Sequence, residues 1–324
     1  SNFCDTAIVG EAESAWKHFL EDLKKGNPKK IYFQQDYGEV DITKLPIPRY
    51  DLLKDKGYST IWINTSRGCP YDCEFCSVTN LFGKKYRHKS VEQIVKEIEY
   101  VKKVFNKIYV GFGDDNMFVD RDFSNRLMEK FGELNFRWVC QSDISIGKDI
   151  EFLKKLYKAG CHVIFIGFES LDEENLSNIY EKSRKLKRDY YSQYSEMIAN
   201  IQGSGLGILG SFIIGLDNDT KESISGIADF VEKTNMLTAT LNVLTPLPGT
   251  RLRKRLENEN RIIPTSWENY TFWDINFIPR SLTYRELDEG MIKTLEKIYS
   301  LERTKKVTDY YKEIYKNLME NEIL

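Results

Sequence analysis

The stretch Thr60-Ile-Trp-Ile-Asn-Thr65-Ser-Arg-Gly-Cys69-Pro-Tyr-Asp-Cys73-Glu-Phe-Cys76 runs from a β-branched, aromatic segment straight into a loop that packs three cysteines into eight residues. The first part reads as a strand and the glycine and proline mark the turn that ends it. Downstream the same pattern recurs. Strands are predicted at 60–65, 107–113, 137–142, 162–169, 208–216 and 238–244, most of them followed by a charged stretch of helical period. Strands alternating with helices predict βα units and a parallel sheet. Six such units make three quarters of an eight-unit barrel. The expected fold class is therefore α/β, a partial (β/α)6 TIM-like barrel with a C-terminal helical extension. In such a fold the loops after the strands build the active site, and the cysteine loop is the first of them.

Helix starts are marked by Ser90 ahead of Glu92 and Gln93, Asp172 ahead of Glu173 and Glu174, and Thr220 ahead of Glu222. Each places a capping oxygen where the first free backbone N–H groups need one. Residues 27–56 hold Pro46 and Pro48 amid Asp and Lys and read as a linker. Before it, Thr6-Ala-Ile-Val-Gly10 reads as a strand with no preceding element to pair with, as if the chain had been trimmed there. After Pro264 the chain turns aromatic over 267–277, then runs into helices expected at 284–304 and 307–321. Val307, Tyr311, Ile314 and Leu318 recur at helical spacing and are expected to pack on the barrel.

A chain of 324 residues with 47 basic against 49 acidic residues has no charge imbalance to attract nucleic acid. Its longest apolar runs, such as 208–216, are about half the length of a membrane span, and no charged-then-apolar leader opens it. A cytoplasmic location is expected. Six cysteines, three of them crowded together, point to metal and away from a disulfide framework.

Thiolates spaced by four and three residues can wrap one face of an Fe–S cube, leaving one iron open to a small chelating ligand. A fourth thiolate from Cys140 or Cys161 would instead complete an electron-transfer cluster. A structural zinc site, or three unrelated buried cysteines, are the plainer alternatives. Zinc sites usually draw a second ligand pair from elsewhere, and His18, His88 and His162 offer none. His88 reads as a loop or cap residue rather than a base. Gly205-Leu-Gly-Ile-Leu-Gly210 matches a dinucleotide fingerprint in letters only, since it leads into a strand instead of leaving one for a helix.

Cys69-x-x-x-Cys73-x-x-Cys76, with Phe75 ahead of the third cysteine and placed after the first of six βα units, resembles the radical S-adenosylmethionine superfamily. The resemblance covers about residues 58–256. It implies a 4Fe–4S cluster on Cys69, Cys73 and Cys76 that cleaves S-adenosylmethionine to a 5′-deoxyadenosyl radical, which takes hydrogen from the substrate. By position it also implies cofactor contacts from Phe75, from Gly113, Asp114 and Asp115 after the second strand, from Ser142 and Glu169 after the third and fourth, and from Asp217 after the fifth. The alternatives are a plain βα turn capped by Asn116, and a Glu169 that serves a neighbouring helix.

Ala7-Ile-Val-Gly10-Glu11-Ala-Glu13 and Pro46-Ile-Pro48-Arg-Tyr-Asp51 resemble the junction found in cobalamin-binding members, although no Asp-x-His-x-x-Gly motif is present. Residues 1–56 are then a remnant of a cobalamin-type domain and its linker, 57–258 the radical barrel, and 259–324 the extension. The region 280–301 resembles that of members acting on lipids and natural products. What the resemblance implies is methylation of an unactivated carbon on a small-molecule substrate, with cobalamin and an electron donor such as flavodoxin or ferredoxin. Cobalamin-free cyclisation or rearrangement, and a non-enzymatic Fe–S redox protein, are the competing readings.

Overall fold

The computed structural model describes residues 4–105, 109–180 and 193–320. Six parallel strands form one sheet: β1 (Thr60–Ile63), β2 (Tyr109–Phe112), β3 (Trp138–Ser142), β4 (Cys161–Glu169), β5 (Gly207–Ile214) and β6 (Thr238–Val243). Their spatial order follows the chain order, β1 at one edge and β6 at the other. The partial barrel expected from the sequence is therefore present, with each strand within a few residues of its predicted bounds; positions 106–108 of the second strand lie outside the described residues.

Burial alternates along the strands because successive side chains point to opposite faces. On β6, Ala239, Leu241 and Val243 are buried against the surrounding helices, while Thr238, Thr240 and Asn242 form the other face and look into the barrel. The outer layer is aromatic. Phe131 stacks on Phe112 and meets Trp138 edge-on, and the Trp138 indole N–H donates to the Ala159 carbonyl at 2.7 Å. This layer fixes the strands while leaving their inner faces free to carry polar groups.

The predicted caps are made. Ser90 accepts from Gln93 N, Asp172 from Asn175 N, and Thr220 forms a reciprocal box with Ser223. Each contributes about 1 kcal/mol to its helix. Gly207–Ile214 is a strand, as the rejected fingerprint required.

Two expectations need correction. The strand Ala7–Val9 has a partner, pairing in parallel with Ile31–Phe33 across the helix Ala12–Lys24, so part of the predicted linker is a strand. Tyr32 explains it: the ring is buried and its hydroxyl donates to Asp22 on that helix. The two C-terminal helices divide at Tyr299 and Ser300, giving Tyr284–Ile298 and Leu301–Glu320. The Ser300 hydroxyl accepts from Arg303 N, so a serine cap sits where only continuous helical spacing was read. Residue 321 lies outside the described residues.

The first of these helices packs on Lys221–Lys233, with Thr294 donating to the Ile224 carbonyl. In the second, Val307, Tyr311 and Leu318 are buried against the barrel, Ile314 half-buried, as their spacing predicts. Among the described residues no helix is long and apolar enough to cross a membrane.

Candidate functional site

The cysteine loop leaves β1 at Ile63 and is held from three sides before it reaches Cys69. Asp114, just past β2 and 1% exposed, accepts from the backbone N–H and the hydroxyl of both Thr65 and Ser66. Burial pushes its carboxyl up, against these donors, which pull it down. Gly68 has φ +88°, and a Cβ there would stand 2.4 Å from the Lys85 carbonyl, so only glycine lets the loop pass. Arg67 and Arg87 both pair with Glu11, whose side chain is almost fully buried, which fastens the N-terminal βαβ unit to the loop.

Beyond the cysteines the helix Arg251–Asn258 clamps the loop. Leu252 N donates to the Glu74 carbonyl, Arg251 donates to the Asp72 carbonyl, and Arg255 bridges Glu74 and Asp217 at 2.8 and 2.7 Å. No local pattern announces Arg251 or Arg255 as a site residue, because Asp72 and Glu74, their partners on the cysteine loop, lie about 180 positions away.

Cys69, Cys73 and Cys76 are half-buried and line a single cavity of about 140 Å³. Phe75, Asp115, Ser142 and Glu169 share it, each from the carboxyl end of a different strand or the loop that follows it. Burial, reinforced by the neighbouring Asp114, pushes the Asp115 carboxyl up to about 6, although it accepts from Gly68 N–H. Asp143 organises the floor, accepting from Tyr71, Asn116 and Ser145. Asn116 Oδ1 is buried at the same cavity with no hydrogen-bond partner.

Glu169 adopts φ +64°, left-handed and uncommon for a residue with a Cβ, at a register shift between β4 and β5. That conformation costs on the order of 1–2 kcal/mol. It turns the carboxylate across Gly167, where an added Cβ would meet it at 2.4 Å.

Three expected contacts are not brought to this cavity. Gly113 is exposed, its N–H bonded to the Ile63 carbonyl and its own carbonyl to Asn64. Asp114 faces the loop stem, as described. Asp217 lies beside Arg255 and Arg261, and those guanidinium groups hold its carboxyl below the usual range against the effect of burial. His88 is a packing residue, stacked on Phe123 at 3.8 Å.

The donor set suits an Fe–S cube with one open iron. Cys140 and Cys161 are buried on β3 and β4, the Cys161 thiol donating to the Val163 carbonyl at 3.8 Å, and neither lines the cavity, so no fourth thiolate is at hand among the described residues. Nor do three His, Cys, Asp or Glu side chains among them group around a single metal ion, as mononuclear zinc requires.

The chain matches the radical SAM superfamily over residues 63–231 and a domain of unknown function, DUF4070, over residues 250–322. A bacteriochlorophyllide d C-12(1)-methyltransferase of Chlorobaculum tepidum is 27% identical over 301 residues, covering 91% of this chain and 64% of that protein. The hopanoid C-2 methylase of Rhodopseudomonas palustris is 29% identical over 267 residues, 80% of this chain and 50% of that one. Among solved structures, the cobalamin-dependent S-adenosylmethionine radical enzyme OxsB shares the fold with a TM-score of 0.66 at 16% identity, over 94% of this chain and 54% of that one. The chain spans about half to two thirds of the length of the curated relatives it matches. With more than half of its residues matched to one family, and three cysteines converging at the mouth of six parallel strands, the chain belongs to the radical SAM superfamily.

Proposed function

We propose that this chain is the radical-generating part of an enzyme that methylates an unactivated carbon of a small molecule. The observation that carries the reading is the cavity itself, where three cysteines meet polar strand ends while the remaining buried cysteines line no part of it. When bound, the 4Fe–4S cluster supplies the electron that cleaves S-adenosylmethionine to a 5′-deoxyadenosyl radical, which abstracts hydrogen. The protein's part is positional. Asp114 and Gly68 fix the loop stem, and Arg251 and Arg255 fix its far side.

Asp115 and Asn116 Oδ1 offer acceptors to the cofactor's ammonium group, and Glu169 offers one to its ribose hydroxyls. The surrounding strands keep water from a radical that would otherwise be quenched. The electron comes from a flavodoxin or ferredoxin in a reducing, cytoplasmic setting. Named methylases among the relatives support methyl transfer as the outcome. Cobalamin is the methyl carrier implied by the resemblance. A cleft of about 710 Å³, bordered by Gly10, Gln34, Ser77 and Asn80, separates the N-terminal unit from the helix after Cys76, and none of the three histidines lines it. That cleft would hold such a carrier without a histidine from its lining.

Anaerobic reconstitution with iron, sulfide and S-adenosylmethionine, with and without methylcobalamin, tests the reading. Formation of 5′-deoxyadenosine is expected, with S-adenosylhomocysteine appearing as the methyl donor is regenerated. Deoxyadenosine alone would remove methyl transfer and leave cobalamin-free radical chemistry. Cluster loss on Cys140→Ala or Cys161→Ala would overturn the three-cysteine site.

A further inference from the structure

Glu11 is an anomaly on its own helix. It stands at the N-cap position of Ala12–Lys24, where a side-chain oxygen normally accepts from the first free backbone N–H groups, yet its side chain makes no capping bond. Its backbone N–H donates to Gln34 Oε1 at 2.9 Å, and its carboxylate turns into the protein with the side chain only 3% exposed. A carboxylate taken out of water needs charged partners. Glu11 has one on each oxygen, Arg67 Nη1 at 2.7 Å from Oε1 and Arg87 Nη2 at 2.9 Å from Oε2.

These partners lie where the cysteine loop has least support of its own. Arg67 precedes Cys69 by two residues, and it faces Arg87 in an antiparallel ladder whose strands, Ser66–Arg67 and Arg87–His88, are two residues long each. So short a ladder does not hold itself together, and like charges directly opposite push it apart. Glu11 supplies the buried counter-charge between them. The other acids on these guanidinium groups, Glu13 on Arg67 and Glu39 on Arg87, are far more exposed. Asp114 thus holds residues 65 and 66 from the barrel side, and Glu11 holds residue 67 from the N-terminal unit.

Resting on the three-cysteine cluster of the radical reading above, we propose that Glu11 is a positioning residue for that cluster: it keeps the loop stem in its cluster-holding shape and cancels the charge of Arg67 and Arg87 there. The N-terminal unit is then part of the cluster site as well as its neighbour. With the Glu11 charge removed, the stem of the iron-free chain opens more readily. A cluster that does bind then has more positive charge near it and accepts an electron more easily.

Hydrogen exchange on the iron-free chain, and a redox titration of the reconstituted chain followed by its brown absorbance, test this with Glu11→Gln, which keeps the side chain's size and removes its charge. Amides of residues 65–69 and 86–89 should exchange roughly ten- to a hundredfold faster than in the wild type. Those of the distant strand Gly207–Ile214 should not change, and the cluster should be reduced at a less negative potential. Adding Arg87→Gln removes one of the two opposed cations and should return both readings toward the wild type, which a general loss of stability would not do. The wild type alone also decides, should the single variant not fold: as urea rises, the stem and the helix Ala12–Lys24 should open in one step. Faster exchange spread evenly over the barrel, an unchanged potential, or a wild-type stem that opens while Ala12–Lys24 stays closed overturns the proposal. 5′-Deoxyadenosine is scored on the wild-type preparation: its absence overturns the radical reading and leaves the exchange comparison, made without iron, intact.

Discussion

The two halves of the barrel treat polar groups in opposite ways. On the β1–β3 side two carboxylates gather the donors around the cysteine loop, Asp114 taking four from Thr65 and Ser66 and Asp143 taking three. Along the inner face of β6, Thr238, Thr240 and Asn242 keep open hydrogen-bonding capacity. A half whose hydrogen bonds are closed holds one geometry, as a resident cluster requires. A half with open ones carries the cost of buried hydroxyls left unpaired, and the difference lies within a single sheet.

Removing Asp114 is the harshest way to break this contrast. Asp114→Ala strands four buried donors, so a loss of upward of about 4 kcal/mol is expected. Urea denaturation of the iron-free chain reads the loss, and iron content after reconstitution should fall with it. An Asp114→Ala chain that keeps full iron would show that the loop needs no anchor.

Asp219 is a carboxylate of the later half held as Asp114 is, accepting from Gly215 N, Leu216 N and Asn175. Burial nevertheless pushes it up to about 7. The folded chain then keeps this proton where the unfolded chain, with a carboxyl near 4, has released it. The stability contributed is full below about pH 4 and is lost as pH rises through 7. Relative to Asp219→Asn, the wild type should lose on the order of 3–4 kcal/mol between pH 4 and 7.5. A flat difference across that window would mean that the three donors outweigh burial.

Smaller changes sharpen the contrast in opposite directions. Ser66→Ala removes one donor from Asp114 and should cost about 1–2 kcal/mol. Thr240→Val removes a hydroxyl that is buried without a partner, and should be neutral or gain about 1 kcal/mol. Thermal melts of the two variants side by side check both signs.

The fold was legible because strand and helix periods and caps are local: Ser90, Asp172 and Thr220 announce their helices within four residues. The cysteines were legible for the same reason. Asp114 and Asp115 show where this stops. They are neighbours at one strand end and look alike in the sequence, yet one is buried under the loop stem and the other lines the cavity. Which of two adjacent side chains turns inward depends on the pleat of β2 and on Thr65 arriving from 49 positions away. Glu169 was read as a site residue, but its left-handed backbone was as silent as Arg255, since each depends on a partner or a register set by distant strands. The pairing of Ala7–Val9 was missed because its partner is only three residues long and sits among linker residues.

The link between Phe272 and β6 also bears on solubility. A six-stranded open sheet has two free edges, and such an edge can recruit another chain. On β6 the outward N–H of Val243 donates to the Phe272 carbonyl at 2.8 Å, and the outward carbonyl of Ala239 accepts from the Tyr299 hydroxyl at 2.9 Å. The extension thus occupies both ends of that edge, leaving too little of it exposed for a foreign strand to pair with. Cutting the chain before Phe272 would bare the row, and edge-to-edge association is then the expected outcome.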